Sequence, residues 1–301
     1  MNKLNRTLLL LMLPITIAVA DTPKSIGQLD FSSLVNDFMQ EGNVLKKTIN
    51  LSGKERMLTQ NMTKLALQSG LNIQRDKSRK ELKEVADLYG KTLNGFKSGD
   101  SDLGLKATTN KRVKEQIAVV EKAWKPFYED VNKIVDGKDK DGKALEYIVA
   151  NNEELLKLSN DLVEAYEASN TSVNYLEKAR LHVVNIAGRQ RMLTQKMTKE
   201  KLLLLKGQKA YAPKLLKTIK LFDTSLTALI KGDKSQNITK PSNEKIIKQL
   251  KVASKLWAEL KPLYEKKKNS VKELAIIITK NGVLLREMNS MVKMAEKETE
   301  Y

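Results

Sequence analysis

Arg56 follows Gly53 by three residues and Arg191 follows Gly188 by three, within segments that read INLSGKERMLTQNMTK over 49–64 and VNIAGRQRMLTQKMTK over 184–199. Ten of the sixteen aligned positions are identical, at an offset of 135. Helical spacing places Gly53, Arg56, Gln60 and Thr63 on one stripe, with Leu58, Met62 and Leu65 on the adjoining one; Gly188, Arg191, Gln195 and Thr198 repeat the first. Arginine suits a planar oxyanion, because its rigid fork presents parallel N–H donors and stays charged. A glycine inside a helix costs roughly 1 kcal/mol relative to alanine, so its recurrence implies a close approach to the backbone there. Two such arginines facing each other repel, and an anion between them removes the repulsion. A ligand bound that way shifts the relative position of the two helices. Asn50, Asn185, Gln60 and Gln195 join Gly53, Arg56, Gly188 and Arg191 as candidate ligand contacts, the alternative being hydrogen bonds between helices. Met57, Leu58 and Met62 read as bundle core.

The other reactive side chains form no set. His182 is the only histidine, and the chain holds no cysteine with which it could complete a metal site. Asp136, Asp139 and Asp141 are spaced like part of a calcium loop, but Lys138 and Lys140 stand between them and no glutamate closes it, so a solvated turn is expected. Trp124 and Trp257 read as core. Without a nucleophile and base pair, a phosphate-cradling glycine loop or paired carboxylates, the chain is expected to be a non-enzyme without a cofactor.

The elements that must position these arginines are helices. Apolar residues recur at three-and-four spacing and strand-length alternation is scarce, which predicts an all-α protein. Glycine, aspartate and proline clusters leave helices near 28–72, 77–98, 108–136, 144–206, 211–231, 242–270 and 272–299. The second half repeats the first in order. LYGKTLNGFKSGD, ending at Asp100, is answered by LFDTSLTALIKGD, ending at Asp233. Trp124, Pro126 and Tyr128 are answered by Trp257, Pro262 and Tyr264, and LLKLSNDLV from Leu155 by LLREMNSMV from Leu284. Two tandem four-helix up-and-down bundles are expected, over 21–160 and 161–301. No strong turn signal falls between Ala144 and Lys206, so the bundles are expected to share a long connecting helix. A break near Ser169-Asn170-Thr171 is the alternative, and it sets the two leading helices side by side as a pseudo-dimer.

Residues 1–20 read as a secretory signal peptide: Lys3 and Arg6, an apolar run from Leu8 to Ile17, then Ala18-Val19-Ala20 before Asp21. A periplasmic protein is expected, with no acyl anchor, since Asp21 stands where a lipid-modified cysteine would. Removal of the segment lowers the formal charge from +18 to +16, because Lys3 and Arg6 leave with it and no acid does. Such a charge attracts small anions or an acidic partner surface. With only 5% aromatic residues and lysines scattered along helices, the stacking platform of a nucleic-acid reader is missing, and no nucleic-acid partner is expected.

The NIAGRQRMLTQKMTK segment resembles the signature of the sensory domain of pilus chemotaxis transducers of the PilJ type, and is similar to the P-box of NarX-type nitrate sensor kinases. LLKLSN and LLREMN resemble that family's final helix. The resemblance covers nearly all of the mature chain, twice. It implies a four-helix sensory module in which an arginine three residues after a glycine grips nitrate or a similar small anion at a dimer interface, roles that fall on Arg56 with Gly53 and on Arg191 with Gly188. It also implies a membrane sensor kinase or chemoreceptor as signalling partner, and a homodimer if each copy needs a second molecule. Met-Leu-Thr-Gln after the arginine is closer to the pilus signature than to the nitrate-sensor box, and Lys54 stands where the second copy has Arg189. The rival reading is a helical docking module of an envelope or pilus complex with no small-molecule ligand.

Overall fold

The computed structural model describes residues 44–169 and 175–298. The expected signal peptide and the helical stretch expected over 28–43 lie outside the described residues. The described chain forms α1 Val44–Gly70, α2 Arg75–Ser98, α3 Lys111–Val135, α4 Lys143–Ser169, α5 Tyr175–Leu205, α6 Tyr211–Lys231, α7 Glu244–Glu265 and α8 Val271–Glu298. The all-α expectation holds. Among the described residues, no helix is long and apolar enough to cross a membrane.

The repeat seen in the sequence is a repeat of local structure. Asn110 caps α3 by accepting from the Val113 amide at 3.1 Å, and Asn243 caps α7 by accepting from the Lys245 amide at 2.9 Å. Gly99 and Gly232 end α2 and α6 with φ of 83° and 78°, a region that disfavours other residues. Each is followed by the same small antiparallel closure, Asp100 with Leu105 and Asp233 with Ile238. Between second and third helices the same aromatic contact recurs, Tyr89 on Trp124 at 4.5 Å and Phe222 on Trp257 at 4.6 Å between ring centroids. Both tryptophans are buried core residues.

Two bundles result, α1–α4 and α5–α8, and hydrogen bonds fix how they meet. Along α4, Asn152 bonds to Thr59 and Asn160 to Arg56, so position rises on one helix as it falls on the other and α4 is antiparallel to α1. Along α5, Asn185 bonds to Arg56 and Gln195 to Lys64, so both rise together and α5 is parallel to α1. Helices α4 and α5 therefore run in opposite directions. The single connecting helix expected over 144–206 is corrected to these two, and the side-by-side arrangement is the one adopted. Its cause is tertiary: α1 and α5 are the most extensively packed pair of helices in the described chain. Burial of that seam demands a reversal that no glycine or proline announces. The division expected between residues 160 and 161 falls within α4, whose Leu162 and Tyr166 belong to the core of the first bundle.

The seam makes α1 unusual. From Leu51 to Ser69 every residue except Lys64 is buried, including Ser52, Lys54, Glu55, Arg56, Thr59, Gln60, Asn61 and Thr63. A helix surrounded by α2, α4 and α5 would be expected to be apolar all round. Placing this much polarity there breaks local patterning, and such breaks concentrate at functional sites.

Candidate functional site

Arg56 leaves α1 and folds back toward its N-terminus, the direction helical side chains favour. Its Nε donates to the Gly53 carbonyl at 3.4 Å, Nη1 to Asn160 Oδ1 on α4 at 3.0 Å, and Nη2 to Asn185 Oδ1 on α5 at 2.6 Å. From α5, Arg191 Nη1 donates to Asn289 Oδ1 on α8 at 3.0 Å and Nη2 to Asn50 Oδ1 on α1 at 2.9 Å, without a counterpart of the Arg56 Nε bond. Each fork thus ties three helices: its own, the last helix of its bundle, and the leading helix of the other copy. The arrangement is pseudo-two-fold, since Asn50 answers Asn185 and Asn160 answers Asn289.

The glycines serve their own arginines. A Cβ at Gly53 would lie 3.3 Å from Arg56 Nη2, and one at Gly188 would lie 3.1 Å from Arg191 Nη2. What approaches the bare backbone is therefore the guanidinium of the same helix, one turn on, and the missing side chain lets the fork lie flat enough to cross the seam.

Electrostatically the seam is a buried cationic cluster. Burial, then the nearby Arg189, pulls the Arg56 pKa down from 12.5 to about 10; Arg191 adds to the fall, while Glu167 and Glu164 oppose it. Arg56 stays charged at neutral pH. Neither acid pairs directly with a fork: Glu167 accepts from Asn185 Nδ2 at 2.9 Å and Glu164 from Asn160 Nδ2 at 2.7 Å, so the first copy's carboxylates orient the asparagines. Lys293 of the second copy stands at the position of Glu164.

A second polar layer lies further along the seam. Lys64 donates to Gln195 Oε1 at 2.7 Å, while its counterpart Lys199 donates to Asn152 Oδ1 at 2.7 Å and Glu153 Oε1 at 2.6 Å. Burial lowers the Lys64 ammonium to about 8. Burial acts to raise the Glu153 carboxyl, but Lys199 and Lys196 outweigh it and hold the group at about 2. Asn152 donates to the Thr59 carbonyl at 2.9 Å, and Asn281 donates to the Thr194 carbonyl at 2.7 Å.

Of the residues singled out by sequence, Arg56, Arg191, Asn50 and Asn185 come together at one level, with Gly53 and Gly188 beneath the forks. Gln195 belongs to the second layer and crosses the seam. Gln60 does not: its Nε2 reaches only Thr59 Oγ1 on its own helix, at 3.1 Å. Asn160 and Asn289 were missed, as were Asn152 and Asn281. Their signal lay in the recurrence of the final-helix block, where all four asparagines repeat at an offset of 129.

The other candidates resolve as structure. His182 is exposed and its Nε2 lies 2.9 Å from the Gln236 carbonyl. Asp139 caps α4, accepting from the amides of Ala144 at 2.9 Å and Leu145 at 3.1 Å, while Asp136 and Asp141 pair with Lys138 and Lys143.

Two like bundles joined through a buried, charged seam between their leading helices make a duplicated helical module. A protein-family model described as Type IV pili methyl-accepting chemotaxis transducer N-term, PilJ, matches residues 40–147 and again 175–276. The chain belongs to that family, a non-catalytic helical sensory domain, and carries it twice. Comparison with curated proteins and with solved structures finds no match.

Proposed function

We propose that this chain is a periplasmic sensory protein that binds a small oxyanion, nitrate or nitrite, between Arg56 and Arg191 and signals through a membrane sensor kinase or chemoreceptor. One observation carries the reading. Two guanidinium groups, 3% and 2% exposed, reach across one seam and meet the two copies' asparagines at the same level. An oxyanion offers each fork a charge-assisted bond about twice as strong as a neutral one. It also relieves the repulsion among Arg56, Arg189 and Arg191.

Because the forks are buried, an anion enters only when α1 and α5 part and the asparagines release them. Binding then couples to movement of α4 and α8, which hold Asn160 and Asn289. The two half-sites that a homodimer would supply lie within one chain, so one anion per chain is expected. The P-box likeness and the basic charge support the choice of anion; the leader-like residues 1–20 support the compartment. Membership of a non-catalytic sensory family supports a non-enzymatic role.

The test is thermal melting of the purified mature chain. Nitrate or nitrite raises the melting temperature, and Arg56→Ala or Arg191→Ala abolishes the rise; melting that ignores every anion in the series contradicts the proposal. The four asparagine bonds already made favour one rival, a permanent clamp whose surface docks an envelope or pilus protein. Under it, the same substitutions break a pull-down and anions have no effect.

A further inference from the structure

The end of the first bundle holds a half-open cleft of about 290 Å³ where α1 stops, α2 starts and the α3–α4 turn folds over them. Two arginines enter it from the first turns of α2, and buried Ser69 anchors both by the same edge. Arg79 Nε donates to Ser69 Oγ at 3.2 Å and Arg75 Nε donates to the Ser69 carbonyl at 3.3 Å. Arg79 is half-buried, Arg75 and Lys140 are exposed at the rim, and no carboxylate among the described residues pairs with any of the three. Gly137, with φ of 72°, passes so close that a Cβ would lie 3.3 Å from Arg79 Nη1, which holds that fork flat against backbone.

Asp139 lines the cleft too, but its oxygens are occupied by the amides that begin α4. Three cations against this one acid leave the cleft two charges positive. Duplication does not explain the set: Leu204 stands at the position of Ser69, and no arginine occurs between Arg191 and Arg286 in the second copy.

The geometry points to a binding site for a divalent oxyanion, a phosphate group either free or as a small monoester, held between the forks of Arg75 and Arg79 with Lys140 at the rim. Two arginine forks match two faces of a tetrahedral oxyanion. The volume sits at the small end of the roughly 300–1,000 Å³ range of ligand pockets, which suits such a group. This site is separate from the seam and stands without it.

Calorimetric titration of the mature chain at low ionic strength, with inorganic phosphate, glycerol phosphate and nitrate in turn, tests it. One phosphate-bearing ligand is expected to bind per chain, nitrate not to displace it, and Arg79→Ala or Arg75→Gln to weaken binding at least about tenfold. Arg191→Met leaves it unchanged, so failure here is distinguishable from failure at the seam. Tighter binding of glycerol phosphate assigns the monoester, and tighter binding of inorganic phosphate the free ion. Absence of binding by both, or binding that survives Arg79→Ala in a folded variant, overturns the site.

Discussion

Replacing Gly188 by alanine isolates the fit of fork to helix. In an ordinary helix interior the change stabilises by about 1 kcal/mol. At Gly188 the new Cβ would lie 3.1 Å from Arg191 Nη2 and 4.0 Å from its Cζ, tight enough that the fork must give way. It cannot swing aside freely, because Nη1 and Nη2 are held at 3.0 and 2.9 Å by Asn289 and Asn50. Charge-assisted bonds contribute about 1.5–3 kcal/mol each, so giving up about half of two of them loses roughly 2 kcal/mol. Offset against the propensity gain, Gly188→Ala is expected to be about 1 kcal/mol less stable than the parent, with Tm lower by about 2–4 °C. Gly53→Ala, where the contact is 3.3 Å, costs less. Gly90→Ala on α2 is the control: its Cβ would make only an ordinary contact, 3.4 Å from Trp124 Nε1, and a gain of up to about 1 kcal/mol is expected. Urea unfolding followed by far-UV circular dichroism measures all three. Should Gly188→Ala gain stability as Gly90→Ala does, the forks are not held over their glycines and the reasoning fails.

Other expectations follow from the same interior. Glu55 is fully enclosed in the first bundle, with no hydrogen-bond partner for either oxygen, and burial pushes its pKa well above the usual carboxylate range. A folded pKa above the unfolded one contributes stability that is intact below about pH 4.5 and fades as pH rises toward the folded value. Glu55→Gln, which copies Gln190 of the second repeat, is therefore expected to flatten that decline and to be more stable than the parent at pH 8, read from urea midpoints across pH. Asn289→Ala removes the acceptor of a buried guanidinium and is expected to cost about 1–3 kcal/mol; Asn160→Ala does likewise, and a change under 0.5 kcal/mol in either denies the three-helix tie. Stability is further expected to fall as pH drops from 4.5 toward 2, where Glu153 is protonated and its pairs with Lys199 and Lys196 are lost; Lys199→Met shrinks that fall.

Fold class and repeat were legible because both are carried by local signals: apolar spacing, the repeated sequence blocks, and the turn clusters that hold the glycines at 99 and 232. The reversal between α4 and α5 was legible only as the alternative, a break near Ser169-Asn170-Thr171, since that stretch holds no strong breaker and the demand for it comes from burying α1 against α5. For the same reason α1 misleads when read alone. Its charges at 54, 55 and 56 suggest a solvated face, whereas three neighbouring helices enclose them. In the site, the glycine and arginine pair was visible from its spacing. The asparagines at 160 and 289 were not, because they lie 104 and 98 residues from the forks they hold and only bundle packing selects them.

The most direct measurement is calorimetric titration of the mature chain with nitrate, beside Arg56→Lys and Arg191→Lys, which keep the charge and lose the fork. One nitrate bound per parent chain, with affinity falling at least about tenfold in each variant, is the expected result. Equal affinity in parent and both variants, or no heat from nitrate and nitrite alike, contradicts an anion held between the two forks.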